Sequence, residues 1–492
     1  MDTAASDPHE PYAAVAETHI STVLFAGDRA YKLLKPLRTA FLDHSTTELR
    51  AEACRLEYEL NRRLAPDVYL GVSALSEEGV VSNHILVMRR LPASRRLTAL
   101  LRTPERDDAV RQVARAVASF HAGLPADSRG AAIASRDAVR RLWRHNLDEM
   151  AEFRDVHVDG AVLDEVDKIA MTYLAGRDRL FADRLHQGLT RDGHGDLLAD
   201  DIFCMPDGPR ILDCLAFDDA LRISDVLLDA AFLAMDLERL AGMPTAHAFL
   251  RWYQEFSNEH HPQSLADHYV AYRALVRCKV SCLRAAQGAA GAADDARSFL
   301  DMTLRHLRSA RPRLVLVGGA PGTGKTTTAN GLAAACGYAV LSSDEVRKDL
   351  AGFGHFEHAF AEPEQGIYRR EMTDRVYDAL IERAAELLEL GESIIVDASW
   401  TDASYRERAR HAATERDAEL IELRCKLDPI VAAARIERRL ASEQTTSDAT
   451  PTIAKHLADI AALWPEAIEI DTTERPEHVT ARAAAIVERG YS

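Results

Sequence analysis

The sequence predicts two domains of different class, a mixed α+β domain followed by an α/β domain with a parallel sheet. Three observations carry this. Short β-branched and aromatic runs broken by turn signals fill the region before residue 96. Helical apolar spacing dominates from Thr98 to about Ala290. From Arg313 onward, short apolar runs alternate with helical stretches, the pattern of a parallel sheet with crossover helices. A chain of 492 residues is long enough for two independent cores.

In chain order, His19–Phe25, Arg29–Leu34 and Ile85–Arg90 read as strands, the first two joined through Ala26-Gly27-Asp28. Thr46–Leu64 reads as a helix ending before Pro66, with Leu49, Ala53, Leu56 and Leu60 on one face. The helical region is interrupted by a polar segment, Arg191 to Asp196. A hairpin follows, Ile202–Met205 and Arg210–Leu212 around Pro206-Asp-Gly-Pro209. The small residues Gly288 to Asp295 approach a boundary, and helix Ala296–Ser309 bridges to Pro312. Leu314–Val317, Tyr338–Leu341 and Ser393–Val396 read as buried strands. The expected domains are therefore 1–300, with a small lobe of about 15–95 and a large lobe of about 96–300, and 311–492.

Composition narrows the function. Hydrophobic residues make up 47%, charged residues 28%, and the net charge is −17, which argues against broad binding to nucleic acid or anionic membrane. The seven cysteines form no CxxC pair, so neither a disulfide framework nor a zinc site is expected. Cys278 and Cys282, one helical turn apart, read as small buried residues. MDTAASDPHE lacks the basic and apolar regions of a secretory signal, and no run approaches the ~18 apolar residues that span a bilayer. A cytoplasmic location is expected.

The strongest motif lies in the second domain. Leu314-Val-Leu-Val317 leads into Gly318-Gly-Ala-Pro-Gly-Thr-Gly-Lys-Thr326 and then a helix. Gly319, Ala320, Pro321, Gly322, Thr323, Gly324, Lys325 and Thr326 fit G-x-x-x-x-G-K-T between a strand and a helix, the setting of a phosphate-binding P-loop. Glycines allow the backbone N–H groups to turn inward around phosphates, and the helix directs its positive end at them. Lys325 is expected on the β- and γ-oxygens of ATP, Thr326 on Mg²⁺, and Thr327 beside them. Asp397, ending an apolar strand, is a second candidate for Mg²⁺, with contact to substrate as its alternative. Ala398 to Thr401 would form the adjacent wall. Arg435, Arg438 and Arg439, after Asp428-Pro429, are candidates for a lid over the γ-phosphate.

Beyond the second strand of this domain stands Ser342-Ser-Asp344-Glu-Val-Arg347. With the P-loop it resembles the small kinases of the polynucleotide, gluconate and zeta-toxin-like group. The resemblance implies Asp344 as the base for an acceptor hydroxyl and Arg347 as its substrate-holding partner.

In the first domain, His194-Gly-Asp196 precedes the hairpin and Asp213 follows it, a polar loop with a second acid at a strand end. This resembles the aminoglycoside phosphotransferase/choline kinase family, whose loop reads H-G-D-x-x-x-x-N and whose metal-binding Asp lies in a strand like Ile211-Leu-Asp213-Cys. The resemblance implies a bilobal protein-kinase-like fold, Asp196 as the catalytic carboxylate that accepts or orients the substrate hydroxyl, and Asp213 on Mg²⁺. Asp201 stands where the family has Asn; it keeps an oxygen ligand but adds negative charge. By the same resemblance Lys32 (alternative Lys35) meets the α- and β-phosphates and pairs with Glu57 (alternative Glu59). Met88 to Leu91 is where the chain passes between lobes.

Both halves together resemble bacterial fusions of an aminoglycoside-phosphotransferase-like domain with a P-loop kinase. The expected activity is ATP-dependent phosphorylation of a small hydroxyl compound, with ATP and Mg²⁺ as cofactors. Two alternatives stay open: an N-terminal half that only regulates the P-loop kinase, and a nucleotide switch in the C-terminal half.

Overall fold

The computed structural model describes residues 11–18, 20–38, 42–77, 80–354, 365–440, 451–459 and 461–489. Its first sheet contains β1 (Ala13–Glu17), β2 (Ser21–Ala26), β3 (Arg29–Leu34), β4 (Tyr69–Glu77) and β5 (Val80–Arg89). The strand order is β1-β2-β3-β5-β4 and every pairing is antiparallel. His19, expected to begin a strand, lies outside the described residues. Alternation along β3 buries Ala30 and Leu34, and Lys32 shares their face of the strand.

Thr46 caps the helix Thr47–Asn61 by accepting from the Leu49 N–H. The buried side of this helix differs from the expected one. Arg50, Cys54, Glu57, Leu60 and Asn61 are buried, whereas Leu49 is 41% exposed. The reason is that the polar residues have partners there. Arg50 donates to Asn83 Oδ1 at 2.8 Å and to the His44 carbonyl at 2.9 Å, and Glu57 meets Lys32. Leu49, Ala53 and Leu56 instead line a cavity of about 360 Å³ that also meets Lys32, Asp196 and Asp213.

Next come β6 (Thr190–Asp192), the hairpin β7 (Ile202–Met205) and β8 (Gly208–Ile211), and β9 (Ile223–Asp225), which pairs antiparallel with β6. Phe203 and Met205 of the hairpin join Ala30, Leu86 and Met88 in one apolar cluster. The hairpin's second strand begins and ends earlier than Arg210–Leu212, so Asp213 lies beyond it, at φ 62°. Helix Val226–Ala241 is buried on nearly all sides.

The second sheet contains β10 (Arg313–Gly318), β11 (Ala339–Ser342), β12 (Ile394–Asp397), β13 (Glu419–Lys426) and β14 (Ile468–Asp471). All its pairings are parallel, in the order β11-β12-β10-β13-β14. Every residue of β10 and β12 is buried, as expected of central parallel strands. The order reverses at β10, whose neighbours are β12 and β13. A loop leaving its carboxyl end therefore opens into the crevice where such sheets bind ligands.

The chain divides into two compact units: 1–163, 181–261 and 268–304 in the first, and 164–180, 262–267 and 305–492 in the second. The second unit thus includes two segments from before residue 300. Arg177, wholly buried, ties one of them in by donating to the carbonyls of Leu388 and Arg416. Ser264 ties in the other, donating to the Gly391 carbonyl at 2.6 Å.

Replacing Arg177 by Met would remove the side-chain donor from both carbonyls. Leu388 keeps the Gly391 N–H at 3.0 Å, so the cost falls mainly on the Arg416 carbonyl and on the lost packing, about 1–3 kcal/mol. Arg177→Met is expected to lower the stability of the full chain by a few kcal/mol in urea titration. A loss under about 0.5 kcal/mol, the size of a neutral surface change, would remove Arg177 from this role.

Candidate functional site

The loop after β10 is shaped by glycines with left-handed backbones: Gly319 at φ 137°, Gly322 at 82° and Gly324 at 89°. Space also demands glycine, because a Cβ on Gly322 would stand 2.5 Å from the Ala432 carbonyl oxygen. Thr323 donates to the Ala320 carbonyl at 2.7 Å, and Thr472, after β14, donates to the Thr323 carbonyl at 2.6 Å. The helix Lys325–Cys336 begins directly after Gly324. A cavity of about 380 Å³ is lined by Gly322, Gly324, Lys325, Thr326, Thr327, Arg435 and Thr472, among others.

Asp397 ends β12 level with Val317, and its Oδ2 accepts from Thr326 Oγ1 at 2.6 Å. Its Oδ1 is buried and has no hydrogen-bond partner among the described residues. Burial raises the Asp397 carboxyl above its usual range, with the Lys325 charge opposing. A buried carboxylate oxygen without a donor, beside a threonine hydroxyl, is a donor set that fits a hard cation such as Mg²⁺. Among the described residues, no group of three or more His, Cys, Asp or Glu is gathered as a metal site. Mg²⁺ is commonly held by one or two carboxylates together with substrate phosphates.

Asp344 stands half-buried in the first turn of the helix Ser343–Ala351, just beyond β11. Its charge acts on Asp397, so the structure brings these two acids to the same end of the sheet. Arg347 is buried, and its Nη1 donates to the Ile367 carbonyl at 3.0 Å and to Thr373 Oγ1 at 3.2 Å. Arg435 donates to the Thr472 carbonyl at 3.0 Å on the cavity wall, whereas Arg438 is exposed. The Arg439 side chain lies outside the described residues. In the adjacent wall, the Trp400 N–H donates to Tyr377 Oη at 3.0 Å and Ser399 accepts from the Gly319 N–H.

In the first unit the Lys32 ammonium lies 2.8 Å from Glu57 Oε1 and 2.8 Å from Asp213 Oδ1. Burial works against that charge, but Asp213 and Glu57 hold the lysine well above its usual value. Lys32 in turn holds Asp213 below the usual carboxylate range. The alternatives point elsewhere: Lys35 to Glu17 and the Thr18 carbonyl, Glu59 to Arg55. Burial pushes Asp196 up to about 6. Burial, then Asp213 and Asp196, push Asp201 up to about 8.

One residue that shapes this loop escaped the sequence reading. Asp229, in the buried helix Val226–Ala241, accepts from the backbone N–H groups of His194 at 2.7 Å and Gly195 at 2.8 Å. His121 Nε2 meets the same carboxylate at 3.0 Å. A Cβ on Gly193 would overlap this carboxylate, which accounts for glycine there. Burial alone would raise Asp229, but the His121 hydrogen bond keeps it below the usual range. Asp236, seven residues on, accepts from the Ala199 N–H at 3.0 Å. Two acids seven residues apart on one side of a helix whose first eleven residues are otherwise apolar are the signal that could have marked them.

The uncharacterized protein Rv2004c of Mycobacterium tuberculosis is 40% identical over 476 residues, which cover 96% of this chain and 95% of that one. This chain belongs to its family. Residues 314–461 match the model of the AAA domain, from the strand that feeds the P-loop through β13 and short of β14. Solved structures resemble different parts of it. A sugar kinase from Janibacter sp. HTCC2649 is 22% identical with a TM-score of 0.29, over 36% of this chain and 95% of its own. A choline kinase from Cryptosporidium parvum Iowa II is 11% identical with a TM-score of 0.38, over 62% and 90%. Values this low describe likeness of fold alone. No helix among the described residues is long and apolar enough to cross a membrane.

Asp229→Ala would leave two backbone donors and His121 facing an empty buried space. A loss of about 3 kcal/mol or more is expected in urea titration, with a smaller loss for Asp229→Asn. Equal, near-zero effects would show that the His194–Gly195 loop is held by something else.

Proposed function

We propose that the protein is an ATP-dependent phosphotransferase acting on small hydroxyl compounds, with its best-defined site at the P-loop of the second unit. The observation that carries this is the Thr326–Asp397 hydrogen bond beneath the glycine loop, with the second Asp397 oxygen free of donors among the described residues. A glycine loop running into a helix N-terminus, one lysine and this oxygen pair suit a triphosphate with its Mg²⁺.

In this reading Gly319 to Thr327 hold the phosphates, with Lys325 on their charge and Arg435 closing the side of the cavity. Thr326 and Asp397 would hold Mg²⁺, which supplies charge neutralisation when bound. Asp344 orients the acceptor hydroxyl and takes its proton as the new O–P bond forms. Arg347 keeps Asp344 in register by fixing its helix to Ile367 and Thr373, and it presents positive charge on the acceptor side. The first unit is read as a second phosphotransfer site. Lys32 would serve the phosphates with Glu57 as its anchor, Asp196 the acceptor proton, and Asp201 and Asp213 Mg²⁺. A second reading, a regulatory module, draws on the crowding of Asp201 by Asp196 and Asp213.

Asp344→Ala in the full chain is expected to lower acceptor phosphorylation by ~10²–10⁴-fold, with nucleotide affinity unchanged by calorimetry. Lys325→Ala should instead weaken nucleotide binding and turnover together. If neither substitution changes phosphate transfer, the P-loop unit is not the kinase proposed. Asp201→Asn should preserve Mg·ATP affinity at the first unit, since it keeps an oxygen ligand; a tenfold loss would show that the carboxylate charge is required.

A further inference from the structure

The end of the helix Thr47–Asn61 makes contacts that neither proposed site uses. Asn61 is 1% exposed and bonds in two directions. Its Nδ2 donates to the Glu57 carbonyl at 2.9 Å, and its Oδ1 accepts from the Cys214 N–H at 2.8 Å. Two residues on, the Arg63 guanidinium is spent mainly on backbone. Nε donates to the Leu60 carbonyl at 3.1 Å, Nη1 to the Asp192 carbonyl at 2.9 Å, and Nη2 to the Gly193 carbonyl at 2.8 Å. Nη2 also lies 3.3 Å from Cys214 Sγ, and the guanidinium carbon lies 5.2 Å from the centre of the Phe120 ring. The Asp192 carboxylate, 3.6 Å from Nη1, is engaged by Arg222.

These partners belong to the two segments that carry the acids. Asp192 and Gly193 lead into the loop of Asp196, and Cys214 follows Asp213 directly. The two segments are also joined to each other. The Leu215 N–H donates to the His194 carbonyl at 3.0 Å, and the Cys214 thiol donates to the same oxygen at 3.4 Å. Glu57, one turn before Asn61, holds Lys32 from the same helix. Partners 129 to 153 residues away in the chain are thus fastened to one helix end. Arginine suits the task because its planar fork serves several acceptors at once, which a lysine ammonium does not reproduce. Asparagine suits it because one amide both donates and accepts.

Asp213 gives one oxygen to Lys32, and its side chain is 56% exposed on the wall of the cavity it shares with Lys32 and Asp196. An open carboxylate beside a lysine is a donor set that Mg²⁺ takes together with nucleotide phosphates. Where that carboxylate stands depends on Cys214, and through Cys214 on Asn61 and Arg63.

We infer that Asn61 and Arg63 are positioning residues of the first unit: they fasten the helix of Glu57 to the segments of Asp196 and Asp213, so that Lys32 and both acids stand in register before a nucleotide arrives. This rests on the reading of the first unit as a phosphotransfer site. Neither residue touches nucleotide or acceptor; both act through the backbone that carries the acids.

The test uses the full chain carrying Lys325→Ala, which leaves the first unit as the nucleotide site. A non-hydrolysable ATP analogue is titrated into it calorimetrically, once with Mg²⁺ and once with EDTA. Arg63→Gln should cut the affinity gained from Mg²⁺ by ~10–100-fold and leave the affinity in EDTA within about twofold. Asn61→Leu, of similar volume, should act in the same direction. Arg63→Lys keeps the charge without the fork; a several-fold loss is expected of it, and it keeps the test open should Arg63→Gln not fold. With Asp213→Ala already present, Arg63→Gln should cost nothing further in Mg²⁺, because the group it places is gone.

Equal losses with and without Mg²⁺ would show that Arg63 only stabilises the fold and would overturn the assignment. So would a loss that adds in full to that of Asp213→Ala. Binding that Lys32→Met removes and that the Arg63 and Asn61 variants leave alone keeps the phosphotransfer reading of the first unit and overturns the positioning role. Absence of any Lys32-dependent nucleotide binding in the Lys325→Ala chain overturns both.

Discussion

Asp397 is buried at the carboxyl end of β12 with one oxygen on the Thr326 hydroxyl and the other facing no protein donor among the described residues. Taking a carboxylate out of water costs several kcal/mol unless donors or a cation replace the solvent. Everything around Asp397 answers that constraint. β12 sits beside β10 in register, so the acid lies level with the strand that feeds the glycine loop. Thr326 is in the first turn of the following helix, where its hydroxyl reaches the acid. Thr472 and Arg435 hold the loop from the far side, so the glycine backbone keeps its shape. The site is thus built around a charge that the described residues satisfy at one oxygen only.

The first unit meets the same constraint with different partners. Lys32 stands between Glu57 and Asp213, so a single ammonium satisfies two acids from distant parts of the chain. Its counterpart behind the loop is Asp229, whose two oxygens take up the His194 and Gly195 amides and the His121 ring. Asp196, in the same loop, is raised by burial and by Asp213 and Asp229, with the charges of Arg277 and Arg273 opposing. A carboxyl held near neutrality is the kind of group that exchanges protons in a reaction.

How much of this the sequence disclosed depended on whether a residue's partner lay nearby in the chain. β3 and the first strand of the hairpin emerged with their observed ends because alternation and turn residues are local signals. The P-loop was legible for the same reason: its glycines, lysine and threonine are contiguous. β1, β4, β6, β9, β13 and β14 were missed. β1 and β4 pair with their chain neighbours but lack strong flanking signals, whereas β6, β9, β13 and β14 are placed by partners far along the chain. The face of helix Thr47–Asn61 was misread because Arg50 and Glu57 are buried through partners 6 to 33 residues away. Asp229 and Thr472 act on loops 34 and 149 residues distant, and no spacing rule links such pairs. Segments 164–180 and 262–267 read as ordinary helix, and only the folded chain assigns them to the second unit.

Two half-satisfied acid sites in one chain of this family amount to a claim about nucleotide number. The most direct test is the stoichiometry of a non-hydrolysable ATP analogue with Mg²⁺, by equilibrium dialysis on the full chain. The account predicts two bound nucleotides per chain, one lost on removing Lys325 and the other on removing Lys32. One nucleotide per chain, insensitive to Lys32, would contradict the reading of the first unit; binding insensitive to Lys325 would contradict the reading of the second.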